Sequence, residues 1–161
     1  MRLIICTLFI FLFNPSVGIA DESENVEVVR AMIEVVNNRN LSALDGLVAS
    51  DVVRHSAATP GVVVTSLEEF RAFLEADFKG IPDSVQEIEI IFGSGAFVAV
   101  RARYKGTQSG PMGPFPPNGN SVNAPFMAIL RLDGGKIAEI WVEWDNINIL
   151  TQLGHFPPAE N

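Results

Sequence analysis

Apolar residues recur at spacings of three and four from Asn25 to Asn38, as they do along one face of an α-helix. A second, short helix is predicted to begin at Asn40 or Ser42, since both residue types are common helix N-caps. A short extended segment is predicted from Asp51 to Ser56. Residues 25–56 are therefore predicted to form two helices followed by a strand.

A third helix is predicted to open at Thr65 or Ser66 and to continue to Phe78. Ser66 and Glu69 have the spacing of a capping box, in which each side chain satisfies a backbone amide at the start of the helix. The apolar residues share one face: Phe70, Phe73, Leu74 and Phe78.

The period changes from helical to two after the turn at Ile81 to Asp83, which predicts β-strands. The predicted strands cover residues 87–92, 96–105, 121–132 and 136–144. The sequence D-G-G joins the last two as a hairpin. Helices first and an antiparallel meander afterwards predict one α+β domain, residues 21–161, in which a curved sheet wraps around helices.

The first 20 residues have the pattern of a secretory signal peptide. Arg2 precedes an apolar run that is too short to span a bilayer, and Gly18 and Ala20 occupy the small-residue positions before a cleavage site. We therefore expect residues 1–20 to be a signal peptide and the mature protein to be periplasmic or secreted, without a stable membrane anchor. The alternative is an uncleaved anchor.

Charge and cysteine content exclude several classes of function. Cleavage after Ala20 leaves 10 basic and 19 acidic residues, a net charge of −9, and removes Cys6. The acidic surface argues against nucleic acid as a partner, because phosphates are neutralised by Lys and Arg. Thiol chemistry is excluded, and no histidine or carboxylate lies at the spacing of a metal site, so we expect no metal.

Asp145 is the first candidate for a catalytic acid or base. It follows the strand that carries Trp141 and Trp144, at the point where an amphipathic helix begins. Burial of a carboxylate in an apolar cavity raises its pKa toward the range useful for proton transfer. The alternative role is structural, because an aspartate here is also a good helix N-cap.

Strand parity places Trp141 with Glu143 and Asp145, on the side expected to face the cavity mouth, and Trp144 on the other side, in the core or an interface. His55 ends a short strand, from which its imidazole could reach a substrate; the alternative is a histidine satisfied by a backbone carbonyl. Arg101 either binds an anionic substrate or belongs to a solvated strand face with paired charges.

Four sequence blocks resemble the SnoaL-like polyketide cyclase or ester cyclase family. The blocks are N-x-x-x-L-D-x-L-V-A-x-D-V-V-R-H at Asn40 to His55, E-E-F-R-A-F at Glu68 to Phe73, V-A-V-R-A-R-Y-K-G-T-Q-S-G at Val98 to Gly110, and G-K-I-A-E-I-W-V-E-W-D followed by Q-L-G at Gly135 to Gly154. The resemblance implies the cone-shaped fold of nuclear transport factor 2, with N-terminal helices packed on a curved, mostly antiparallel sheet.

The resemblance also implies acid/base chemistry without a cofactor. In such cyclases the carboxylate at the W-D position, here Asp145, removes a proton next to a carbonyl, and the enolate then closes a ring. His55 is implied to face the substrate. Where many members of the family carry histidine, this chain has Gln108, which can orient or polarise a carbonyl but cannot carry a proton at neutral pH.

Three functions follow from these observations. The first is an exported enzyme of the cyclase, isomerase, dehydratase or hydrolase type that acts on a small hydrophobic carbonyl compound. The second is a non-catalytic carrier of an apolar ligand in the same cavity. The third is an interaction module whose open sheet face forms a homodimer.

Overall fold

The computed structural model describes residues 22–157. The predicted signal peptide at residues 1–20 lies outside the described residues. Three α-helices and five strands follow one another in the order α1 Glu22–Asn37, β1 Val48–His55, α2 Leu67–Gly80, β2 Val85–Ser94, β3 Phe97–Thr107, β4 Ser121–Asp133, β5 Lys136–Trp144 and α3 Asn146–Gln152. A 3-10 helix, Leu41–Gly46, stands where the short second helix is predicted.

The five strands form one mixed sheet in the order β1-β5-β4-β3-β2. Strands β2 to β5 are antiparallel neighbours, and β1 pairs in parallel with β5 at the edge. The predicted α+β architecture is confirmed. The parallel pair β1–β5 is joined by a long connection that contains α2 and the strands β2 to β4, as parallel neighbours require.

Local signals in the sequence explain where α2 and the last hairpin begin. The Ser66 hydroxyl accepts a hydrogen bond from the Glu69 amide at 3.2 Å, and the Glu69 carboxylate accepts one from the Thr65 amide at 2.7 Å. These bonds satisfy amides at the start of the helix. In the β4–β5 hairpin, Gly134 and Gly135 adopt φ angles of 55° and 76°, which glycine permits without steric cost.

The core lies between one face of the sheet and the helices α1 and α2. Helix α1 packs on β2 and β3, and α2 packs on β1. Alternate residues of β3 and β4 face this core: Val98, Val100, Ala102, Tyr104, Val122, Ala124, Phe126, Ala128 and Leu130. Within residues 22–157 none of the helices has the length and apolarity needed to cross a membrane.

Candidate active site

Two adjoining chambers lie beneath the sheet. The inner chamber has a volume of about 70 Å³ and an almost wholly apolar lining between the sheet and the helices α1 and α2. The outer chamber, about 270 Å³, extends toward α3 and the loop between β3 and β4. Arg54, Phe73 and Trp144 line both chambers, so the two spaces meet at these side chains. A small ligand with an apolar body fits this arrangement.

Asp77 and Tyr104 form a hydrogen-bonded pair in the wall of the outer chamber. The Tyr104 hydroxyl lies 2.9 and 3.0 Å from the two carboxylate oxygens of Asp77. Burial raises the pKa of Asp77, although the hydrogen bonds from Tyr104 and Ser84 act in the opposite direction. Burial and the negative charge of Asp77 raise the pKa of Tyr104, so the tyrosine stays protonated and donates.

Arg54 projects from β1 to the junction of the chambers and is only 7% exposed. Its Nη1 donates a hydrogen bond to the Thr59 hydroxyl at 3.0 Å, and its guanidinium carbon lies 4.2 Å from the centre of the Phe73 ring. Its Nη2 is buried without a hydrogen-bond partner among residues 22–157. Burial lowers the pKa of Arg54, and the charge of Glu143 raises it.

Trp144 lines both chambers and packs on Tyr104 and Phe126. Its indole stacks on the Phe126 ring with 4.4 Å between the ring centres, and it lies nearly perpendicular to the Tyr104 ring with 5.4 Å between the centres. The expectation that Trp144 belongs to the core fits this packing, but the same side chain also lines both chambers.

Gln108 organises the loop that covers the outer chamber. Its side chain is completely buried, and its Nε2 lies within 3.2 to 3.4 Å of the carbonyl oxygens of Gly110, Phe115 and Pro116. Its Oε1 lies 2.7 Å from Nε2 of His155, whose ring stacks on Phe115 at 4.6 Å. Phe115 in turn lines the outer chamber. Gln108 itself does not line either chamber; it holds the loop that does.

The expectation that Asp145 lies in an apolar cavity is wrong. Asp145 is exposed and is the N-cap of α3, where its side chain accepts a hydrogen bond from the Asn148 amide at 3.0 Å. The first four backbone amides of a helix have no acceptor within the helix, and the side chain of a capping aspartate accepts a hydrogen bond from one of them. Its catalytic role stays a prediction without support from this placement.

The predicted cavity side of β5 is also wrong. Ile140, Val142 and Trp144 face the chambers, whereas Trp141 and Glu143 lie on the opposite face of the sheet. Successive side chains of a strand point to opposite faces, so the choice of one residue fixes all the others. The apolar and β-branched residues determine which side is buried.

His55 and Arg101 lie on this outer face as well, away from both chambers. The His55 ring stacks on Trp141 at 5.3 Å, and its Nε2 lies 2.9 Å from the Glu139 carboxylate. Arg101 forms an ion pair with Glu89. The structure therefore brings none of the predicted site residues into the chambers. The contacts of Asp145 and Arg101 match their structural alternatives, whereas His55 pairs with a carboxylate and not with the backbone carbonyl of its alternative.

Asp77 and Arg54 carried a signal in the sequence that the prediction missed. Asp77 stands four residues after Phe73 and three after Leu74, so it lies on the apolar stripe of α2. Arg54 stands two residues after the buried Val52, so it shares the inward face of β1. A charged residue at a position where the apolar pattern predicts burial indicates a polar group inside a cavity.

Among residues 22–157 no cluster of three or more metal-ligating side chains is present.

Comparison with known proteins adds a family and a fold. The model of the SnoaL-like polyketide cyclase family matches residues 26–153. IdmH from Streptomyces antibioticus, assigned as a polyketide cyclase, is 26% identical with a TM-score of 0.71, over 81% of this chain and 98% of IdmH. No curated protein matches the sequence.

Two further solved structures share the fold at lower identity. A protein of Jannaschia sp. CCS1, assigned as a SnoaL-like polyketide cyclase, has a TM-score of 0.77 at 23% identity over 86% of this chain and 96% of its own. An epoxide hydrolase of M. tuberculosis, described as LEH-like, has a TM-score of 0.65 at 16% identity over 83% and 91%. The predicted cone-shaped fold of nuclear transport factor 2 is confirmed.

Proposed function

Because this chain belongs to the SnoaL-like polyketide cyclase family, we propose that it is an enzyme of the cyclase or isomerase type that acts by proton transfer on a small hydrophobic carbonyl compound. The reaction needs no cofactor in this proposal. The observation that carries it is the Asp77 carboxyl group, which lines a mainly apolar chamber and has a raised pKa. A carboxylate whose pKa is raised is a stronger base than an exposed carboxylate, and proton abstraction needs such a base.

In the proposed reaction, the Asp77 carboxylate removes a proton from the carbon next to the carbonyl of the bound compound. The electron pair of the broken C–H bond moves to the carbonyl oxygen and gives an enolate. In an isomerisation, the compound is β,γ-unsaturated, the electron pair extends over its C=C bond as a dienolate, and the proton returns from Asp77 to the γ-carbon. In a cyclisation, the enolate attacks a second carbonyl and the alkoxide formed takes the proton. Tyr104 is a positioning residue, since its hydroxyl holds the carboxylate.

Asp145 is the rival acid or base, since the family resemblance implies it. Its side chain would have to leave the Asn148 amide and enter the chamber before it could reach a ligand. The two carboxylates can be separated by a pair of isosteric variants, Asp77→Asn and Asp145→Asn. Both keep the size of the side chain, and asparagine is also a good N-cap.

The experiment measures exchange of the α-hydrogens of 2-indanone in D₂O by proton NMR, with and without the mature protein. We expect the wild type to accelerate exchange, Asp77→Asn to lose about 10²-fold or more of this acceleration, and Asp145→Asn to keep most of it. No acceleration by the wild type, or full activity of Asp77→Asn, would remove the proposal. Binding of 2-indanone without exchange would support the carrier instead, for which the apolar inner chamber is the favouring observation.

We further propose a homodimer formed through the outer face of the sheet. A row of paired residues crosses this face from β2 to β1: Phe92, Ala99, Ile129, Trp141 and His55. Phe92 is 60% and Ile129 is 50% exposed. The charged residues beside the row pair within the same face, as Arg131 does with Glu139 at 3.1 Å. A second copy can therefore cover the row without burying an unpaired charge.

Export remains part of the proposal and is supported by the signal-peptide pattern of residues 1–20. The expected product of cleavage begins at Asp21. The intact mass of the protein recovered outside the cytoplasm tests this directly, since an uncleaved anchor would keep Arg2 and Cys6.

A further inference from the structure

No carboxylate of the described residues contacts Arg54 and neutralises its charge. Among residues 22–157 no ion pair involves Arg54. The acidic residue whose charge acts on it, Glu143, lies on the outer face of the sheet and accepts a hydrogen bond from the Ala57 amide instead. An isolated guanidinium is therefore held at the junction of two chambers.

Burial of this guanidinium costs free energy unless a ligand in the chambers supplies the missing hydrogen-bond acceptor. Removing a charged group from water costs several kcal/mol, and hydrogen bonds to only part of the group recover only part of that cost. The Thr59 hydroxyl takes one N–H group of Arg54, and the Phe73 ring covers one side of the guanidinium. The buried Nη2 has no acceptor within the described part of the chain. The site is thus short of one anionic acceptor.

The surroundings of Arg54 decide which anion fits. Among the described residues that line the two chambers, no cationic side chain besides Arg54 is present to balance a dianion such as phosphate. A carboxylate carries a single charge, and its two oxygens match the parallel N–H groups of a guanidinium. The apolar inner chamber begins at the same side chain and accommodates a few carbon atoms.

We infer that Arg54 binds the carboxylate of the ligand, and that the substrates are small, mainly apolar monocarboxylic acids that also carry a carbonyl group. The inference deepens the proposed function and rests on it for the reacting end of the molecule. It does not rest on it for binding. Arg54 makes acids bind more tightly than neutral compounds of the same shape, which still enter the chambers, and the unpartnered Nη2 is the donor responsible for the difference.

The test compares benzoate with benzamide, which has nearly the same shape and no charge. Dissociation constants are measured by NMR titration of the mature wild type and of the variants Arg54→Met, Arg54→Lys and Arg30→Met. Arg30 is an arginine on the exposed side of α1 and serves as the matched control. Acetate and inorganic phosphate are titrated as anions without an apolar body.

We expect the wild type and Arg30→Met to bind benzoate roughly tenfold or more tightly than benzamide, the range expected for a hydrogen bond to a charged group. Arg54→Met should bind the two within about twofold of each other. Arg54→Lys should still prefer benzoate, with lower affinity, because lysine lacks the planar fork. Acetate and phosphate should bind more weakly than benzoate.

Equal affinities of the wild type for benzoate and benzamide, or no binding of benzoate at millimolar concentration, would overturn the inference. So would an unchanged benzoate affinity in Arg54→Lys, or tighter binding of phosphate. Asp77→Asn separates the two proposals, since it should keep the preference for benzoate. Loss of that preference only in the Arg54 variants supports the carboxylate site, whether or not any exchange of 2-indanone is observed.

Discussion

The hydroxyl of Tyr104, on β3, bridges both carboxylate oxygens of Asp77, on α2, at 2.9 and 3.0 Å. The contact ties the helix to the sheet at the wall of the outer chamber and fixes the orientation of the carboxyl group. A carboxylate in this position is stabilised by the hydrogen bond and penalised by burial. The balance between these two effects can be altered one residue at a time.

Tyr104→Phe should raise the pKa of Asp77 further, because the variant loses a hydrogen bond that favours the ionised form. The limb of the pH–rate profile that reports ionisation of Asp77 should move to higher pH, while the ring keeps its contact with Trp144. The profile is measured by 2-indanone exchange. A profile that falls in height without moving along the pH axis would argue against Tyr104 as a positioning residue.

Asp77→Asn should change how stability depends on pH. Because the folded-state pKa is raised, the native protein holds its proton at pH values where the unfolded chain has lost it, so this group contributes less stability as pH rises through its folded pKa. The variant and the wild type should therefore be similarly stable below about pH 4, the ordinary pKa of aspartate, and the variant should gain relative stability above it. Urea unfolding from pH 3 to 8 measures the difference. A difference that is independent of pH would contradict a raised pKa.

Asp145→Ala should destabilise the protein by about 1 kcal/mol through loss of the N-cap of α3, and Asp145→Asn by less. Urea unfolding at pH 7 gives both values. Neither variant should lose the exchange activity assigned to Asp77. An Asp145→Ala protein that is folded and stable but inactive would return the catalytic role to Asp145.

Ile129→Asp should convert the proposed dimer into a monomer, since it places a charge in the centre of the exposed row on the sheet. Sedimentation velocity measures the change. Val63→Asp is the control, because Val63 is also an exposed apolar residue but lies in the loop before α2. A wild type that sediments as a monomer would contradict the proposed dimer.

Hydropathy periodicity was sufficient to predict the helices and strands, because helix and strand periods differ strongly and the turns are marked by D-G-G and I-P-D. It was not sufficient to predict the site. Trp141 and Trp144 lie three positions apart on one strand and so point to opposite faces, and large aromatics suit either side of a sheet. The prediction that Asp145 faces the cavity placed Trp141 inward, whereas Trp144 is the inward residue.

The site residues that the prediction missed, Asp77 and Arg54, are charged groups at buried positions. Patterns of apolar residues define which positions are buried, and a charge at such a position is easily taken for an interruption of the pattern. Here the side chains of Asp77 and Arg54 both line the outer chamber. Gln108 shows the opposite case, in which a residue marked by the family resemblance supports a loop and not a ligand.

The contact between Gln108 and His155 joins the roof of the outer chamber to the segment that follows α3. A substitution at His155 would therefore reach Phe115 and the wall of the outer chamber, although His155 itself does not line it. For ligand measurements, a cleavable tag placed before Asp21 leaves the segment that carries His155 unchanged.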